Sequence, residues 1–428
     1  MLFGLIFVVG YAFIALEHKT HINKSGVAII VGGVLWLLAA IFSHDKSEIS
    51  AVITENGGEI FSIIVFLLSA MTIVELLVHY QFFDWLREII VKKKISQTQL
   101  FWFLGALTFV MSAFLDNLTT TLIMIQIGRK IYKDQGNFLI YVANTVIAAN
   151  AGGAASPIGD VTTIMLWLAN KFNAIQIITI GILPALATWL IPQYLMGRKI
   201  KQHEEVEESN PNFDLVDEKK VKPYWSVIFI GLFSFLLPVF FNLINLPPFL
   251  GLLLGVGIIW VFIDIKSKNG HEDYTAGQVV KIIQKTDITT LKFFIGILLA
   301  VGALAHVGLL GKLNDFIFGT NIDTTRLIIG NIILGGLSSV LDNVPLVAAA
   351  IKMFPAGISP AIWVLLALTA GTGGSMLVIG SAAGVAAMGQ VKELNFGFYL
   401  KKASFPALLG YIGGVTVWVT MFYLGLFK

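Results

Sequence analysis

Two stretches set an aspartate–asparagine pair inside apolar sequence: AFLDNLTTTL at residues 113–122 and SVLDNVPLVA at residues 339–348. A carboxylate within a membrane is expensive and by default marks function. Carboxylates are hard oxygen ligands suited to small cations, and they also bind protons. Burial disfavours their charged form, so a buried aspartate can exchange H⁺ for Na⁺ near neutral pH. Competition for one such group suffices for antiport, provided the empty site does not readily switch sides. Downstream of each pair lies a glycine-rich stretch, NAGGAASPIGDVTT at 150–163 and GTGGSMLVIGSAA at 371–383. Asp116, Asp160 and Asp342 are therefore the candidate ligands for Na⁺ or Li⁺ and for the proton. Asn117, Asn150, Asn343, Thr119, Thr120, Thr162, Thr163, Ser375 and Ser381 are candidate neutral oxygen donors.

Each residue also has a plainer reading. Asp116 and Asp342 suit helix caps at a turn, and Asp160 opens DVTT as a respectable N-cap. Glu75, one turn before His79, could relay protons or join two packed helices. His306 reads as a packing residue, and Lys352 as a side chain reaching for the interface. No phosphate-binding loop or nucleophile–base pair is evident, so the chain does not read as an enzyme and no cofactor is expected.

The elements that must position these groups are membrane helices. The 428 residues are 56% hydrophobic and 13% charged, against about 25% charged in a soluble domain. Several apolar runs reach the roughly 20 residues that cross a bilayer. The chain reads as an all-α polytopic membrane protein whose partners are the lipid bilayer and small monovalent cations. A net charge of +3 does not suggest nucleic acid, and the absence of cysteine excludes disulfides and thiol chemistry. The N-terminal MLFGLIFVVGYAFIAL lacks a basic leader and reads as a first membrane helix rather than a signal peptide.

Ten full spans fall near 2–16, 26–43, 59–80, 138–168, 175–196, 225–243, 249–264, 291–310, 361–388 and 404–425. Segments 98–132 and 326–353, interrupted at their Asp-Asn pairs, read as re-entrant hairpins. With the 17–25 loop inside, 23 of the 29 lysines and arginines then fall on the inner side, and the positive-inside rule places both termini outside. A cell membrane is the expected location, the bacterial inner membrane first among candidates. The runs HINKSG and FFDWLREIIVKKK read as interfacial, the second as an amphipathic surface helix.

Gly152-Gly153 and Ile158-Gly159 match Gly373-Gly374 and Ile379-Gly380 at identical internal spacing. Each half therefore reads as a hairpin with Asp-Asn at its tip, followed by a helix broken at the glycines. A broken membrane helix leaves backbone groups unpaired, which is tolerated only along a cavity or against a ligand. The hairpins open to opposite sides, so the repeats are inverted, as in many secondary transporters. The domain reading is N-terminal helices over 1–58, a first repeat over 59–196, a polar cytoplasmic linker over 197–224 and a second repeat over 225–428.

The motifs FLDNLTTTL, NAGGAASPIGDVTT, LDNVPLVAA and GTGGSMLVIGSAA resemble those of the NhaD-type sodium/proton antiporters, from about residue 50 to the end. That superfamily also holds arsenite permeases and dicarboxylate symporters. The resemblance implies a scaffold, a transport domain with two hairpins and two unwound helices, a homodimer and an elevator-like movement. Carried onto matching positions, it implies a site of Asp116, Asn117, Asn150, Asp160, Thr162, Thr163, Asp342 and Asn343. The halves differ where Ser381 stands at the place of Asp160 and Pro345 at that of Thr119. An anion or dicarboxylate transporter on the same scaffold, and a cation channel, are the rival readings.

Overall fold

A computed structural model describes residues 2–43, 46–92, 96–201, 222–269, 277–318, 323–355 and 357–427. Most of the 197–224 linker, as well as Lys93 and Lys94 of the basic run, lies outside the described residues. All regular structure among the described residues is helical. Seven helices there are long and apolar enough to cross a membrane: Lys24–Phe42, Lys46–His79, Ala174–Gly197, Trp225–Leu243, Pro248–Lys268, Ile288–His306 and Phe396–Tyr423. The chain is a multi-pass membrane protein. The other three expected spans appear as the 14-residue helix Leu2–Ala15 and two broken helices.

Several boundaries move. The span expected at 59–80 starts at Lys46 and runs 34 residues; a Cβ at Gly57 or Gly58 would meet nothing, and this glycine pair does not end the helix. The span at 225–243 divides into Trp225–Ser234 and Leu237–Leu243. Pro238 lacks an N–H and its ring crowds the carbonyl four residues back, which favours a break there. The span at 291–310 ends at His306; Gly308 turns the chain at φ +71°, and a short helix Leu309–Phe318 follows. The amphipathic helix Phe82–Lys92 is where the sequence puts it.

The hairpins are built from short arms. Helices Gln97–Ser112 and Asn117–Ile131 have 16 and 15 residues, and Thr324–Leu337 and Asn343–Met353 have 14 and 11. At 1.5 Å per residue even the longest arm covers about 24 Å, less than the roughly 30 Å hydrocarbon core. The outer ends carry ordinary caps: Ser96 and Gln99 form a capping box, and Asp323 accepts from the Arg326 N–H.

The broken helices are Gln135–Gly153 with Val161–Leu168, and Pro360–Gly373 with Ala382–Gln390. Packing is reciprocal. Helix 135–153 holds both arms of the first hairpin and helix 360–373 both arms of the second. Helix 382–390 packs on arm 117–131, as helix 161–168 packs on arm 343–353. Close approach explains the glycines: a Cβ at Gly152 would lie 2.1 Å from the Phe109 carbonyl oxygen, and one at Gly373 2.0 Å from that of Gly335.

Around this group, helix 174–197 lies along helix 405–423. A second set pairs helix 24–42 with 288–306, and 248–268 with 46–79. Contacts between the sets run through arm 343–353 on helix 288–306 and helix 161–168 on helix 46–79. Phe229, Leu253, Ile258 and Val261 are exposed on the outer faces of the second set, as lipid-facing helices require.

Candidate cation site

Four helix N-termini meet where the tips and breaks converge, and each is capped by a residue of the repeated motifs. Asp116 accepts from the Thr119 N–H at 2.8 Å and from its hydroxyl at 2.6 Å. Asp342 accepts from the Val344 N–H at 3.1 Å. Asp160 accepts from the Thr162 N–H at 2.8 Å and its hydroxyl at 2.7 Å. Ser381 accepts from the Gly384 N–H at 3.2 Å. A helix N-terminus favours negative charge, and here three of the four hold a carboxyl group.

Asp160 is the hub. Only 1% exposed, it accepts from the Asn117 amide at 2.7 Å and lies 3.3 and 3.4 Å from the Asn343 amide nitrogen through its two oxygens. Both hairpin tips therefore reach the same carboxyl. The Asn117 amide also donates to Asn150 Oδ1 at 2.9 Å, and Asn150 donates to the Ser375 and Ser381 hydroxyls at 2.8 and 3.0 Å. Asparagine, aspartate and serine from both halves thus form one connected network. Thr163 serves the backbone instead, donating to the Asp160 carbonyl at 2.8 Å.

Matching bonds hold the frame. Ser112, ending the first arm, donates to the Ala149 carbonyl at 2.6 Å, and Ser338 donates to that of Ala370 at 2.6 Å. Tyr399 donates to the Ser375 carbonyl at 2.8 Å, satisfying a group freed by the second break.

A 260 Å³ cavity opens beside Asp160, Asp342, Asn117 and Asn343. Its opposite wall comes from Lys24, Asp287, Thr289 and Thr290, which the sequence gives no reason to group with the site. Asp116 lies outside the hydrogen-bonded network, its carboxyl bonded to Thr119. Thr120 is fully buried and its hydroxyl has no hydrogen-bond partner among the described residues. Glu75 and His79 lie on helix 46–79 and have no hydrogen bond to the network among the described residues; the His79 ring is 2.8 Å from the Gln278 amide. A second cavity of 380 Å³ has Asn56, Glu59, Asn170 and Lys352 in its wall. There Lys352 pairs with Glu59 at 2.7 and 2.9 Å.

No three acidic or imidazole groups among the described residues gather closely enough to hold an ion between them. A cation at Asp160 would complete its shell from amide, hydroxyl and backbone oxygens. Asn117 and Asn343 can supply them, because an amide turned about its last torsion presents oxygen in place of nitrogen.

The citrate transporter family pattern matches residues 11–371. Sodium/proton antiporter 1 of Arabidopsis thaliana is 36% identical over 98% of this chain and 72% of its own length. Sodium/proton antiporter 2 of the same plant is 34% identical over 98% of this chain and 99% of its own length. The Na⁺/H⁺ antiporter NhaD of Alkalimonas amylolytica is 33% identical over 96% of this chain and 88% of its own length. With both the broken-helix geometry and these similarities spanning nearly the whole chain, the protein belongs to the NhaD-type sodium/proton antiporter family, a family of transporters rather than enzymes.

Proposed function

We propose that this protein exchanges Na⁺, and Li⁺ as well, for H⁺, exporting sodium through competition at its buried aspartates with Asp160 as the central ligand. The observation that carries this reading is the Asp160 carboxyl held between the Asn117 and Asn343 tips. A dehydrated cation needs a negative centre with adaptable neutral oxygens around it, and a proton can occupy the same oxygen. Asp116 and Asp342 supply further charge, and Thr162 orients the hub.

The rival dicarboxylate reading wants helix N-termini left free for a substrate carboxylate. Here carboxyl side chains fill three of the four, which favours a cation. A channel is disfavoured because both tips and both breaks converge on one carboxyl-centred network, which suits a single site with alternating access better than a pore.

The reciprocal packing supports reading the halves as inverted repeats about the site. The set that carries the hairpins would be the transport body, and the set around helices 24–42 and 288–306 the scaffold. Lys24 and Asp287 stand at the starts of helices 24–42 and 288–306, on the side that the basic residues assign to the inside, so the cavity at Asp160 would open inward. Elevator movement, a homodimer, a cell-membrane location and outward termini complete the proposal.

The test uses purified protein in liposomes with an imposed pH gradient and a luminal pH dye. Addition of NaCl or LiCl, but not KCl, is expected to dissipate the gradient, and Asp160→Asn is expected to abolish the response. Uptake of succinate without any cation response would overturn the reading.

A further inference from the structure

Lys24 lines the cavity with Asp160 and is the one basic side chain to do so among the described residues. Its place is well defined. Asn23 caps helix 24–42 by accepting from the Ser25 N–H at 2.9 Å, and the Lys24 N–H donates to Glu17 at 3.0 Å. Ser25 ties the same turn to helix 288–306 through the Thr289 carbonyl at 2.7 Å. The Lys24 ammonium lies 5.0 Å from the centre of the Phe293 ring, which also lines the cavity. Among the described residues it makes no close ion pair. A lysine at the first position of a helix is unfavourable to that helix, so capping of its own helix does not explain it.

Asp342, at the second hairpin tip, lines the same cavity as this lysine. Its N–H donates to the Tyr11 hydroxyl at 2.6 Å, which docks the tip on the first helix of the chain. Both side chains line one cavity, where a charge on one acts on the other through less screening than in water. We propose that Lys24 is the counter-charge of the empty cavity, an ammonium that shares the field of Asp342 with incoming Na⁺ and so sets the affinity for the ion. The inference rests on the cation-exchange reading above. It assigns a role to a residue on the wall that the hairpins do not carry, so the ion meets this charge only while the tip is docked there.

The experiment compares full-length wild type, Lys24→Met and Lys24→Arg at one alkaline pH. Na⁺ affinity is read from NaCl-dependent thermal stabilisation, and KM and kcat from liposome exchange. Removing one charge from a partly screened cavity is expected to tighten Na⁺ binding and lower KM by about threefold to tenfold, with kcat changed less. Lys24→Arg should stay within about twofold of wild type. Folded Lys24→Met with unchanged or weaker Na⁺ binding overturns the inference. If Lys24→Met does not fold, Lys24→Gln is read by the same two outcomes. Wild type that neither binds nor exchanges Na⁺ overturns the antiporter reading instead, so the two failures are distinguishable.

Discussion

Asp160 and Ser381 hold nearly the same backbone conformation at matching places in the two halves, φ −143° and ψ 147° against φ −139° and ψ 151°. Each caps the second part of a broken helix. They differ in what they offer a cation: one brings a carboxyl, the other a hydroxyl that receives the Asn150 amide. The local cap geometry is therefore repeated while the charge is not, and the candidate site is lopsided towards Asp160.

Replacing that carboxyl separates folding from transport. Asparagine caps helices about as well as aspartate, so Asp160→Asn should keep the Val161–Leu168 helix and melt within a few degrees of wild type. Exchange should fall by about a hundredfold or more, because the fixed negative charge is gone. Thermal melts and liposome flux on one preparation check both halves of the statement.

The two tip asparagines should not be equivalent. Asn117 donates to Asp160 at 2.7 Å and to Asn150 at 2.9 Å, whereas Asn343 sits at 3.3 and 3.4 Å. Leaving a buried acceptor unsatisfied costs about 1–3 kcal/mol. Asn117→Ala is expected to raise the Na⁺ KM and lower stability more than Asn343→Ala. Parallel KM and melting measurements would decide; the reverse order would mean that Asn343 is the stronger ligand.

Glycine substitutions sort by what a methyl would meet. Gly152→Ala and Gly373→Ala drive a Cβ into backbone oxygens at 2.1 and 2.0 Å, and overpacking of this kind costs about 1–3 kcal/mol or more. At Gly57, inside helix 46–79, the space is open. Gly57→Ala should gain up to about 1 kcal/mol from helix propensity. Unfolding in detergent on the three variants should show both signs.

Proton competition has a fixed direction. If H⁺ and Na⁺ share one carboxyl, the apparent Na⁺ KM is constant at high pH and rises as pH falls, approaching about tenfold per unit once the carboxyl is mostly protonated. The rate at saturating Na⁺ should change far less over the same range. A rate that falls with pH at every Na⁺ concentration, with constant KM, would point to a separate regulatory proton.

Much of this architecture was legible because its causes are local. Asp116 and Asp342 mark the tips because an aspartate in an apolar run begins a new helix where the old one stops. The paired glycines mark the breaks because each faces backbone at a distance that admits no side chain. The short amphipathic helix 82–92 announced itself by its alternating faces. The kink before Pro238 was harder to see, since hydropathy stays high through it, and helix 309–318, with Lys312, Asn314 and Asp315 in ten residues, has the polarity of a connecting loop.

The sequence by itself determined that the chain lies in a membrane, where the two glycine-rich helices break, and which acids and amides sit at those breaks; hydropathy, glycine and capping act within a few residues. Only the tertiary structure decided which aspartate is the hub and which groups share its cavity. Asn150 meets Ser375 and Ser381 across 225 and 231 residues, and Lys24 lines the cavity of Asp342 from a different set of helices. Such neighbours are set by how preformed helices pack against one another, and no local pattern in the chain encodes that distance.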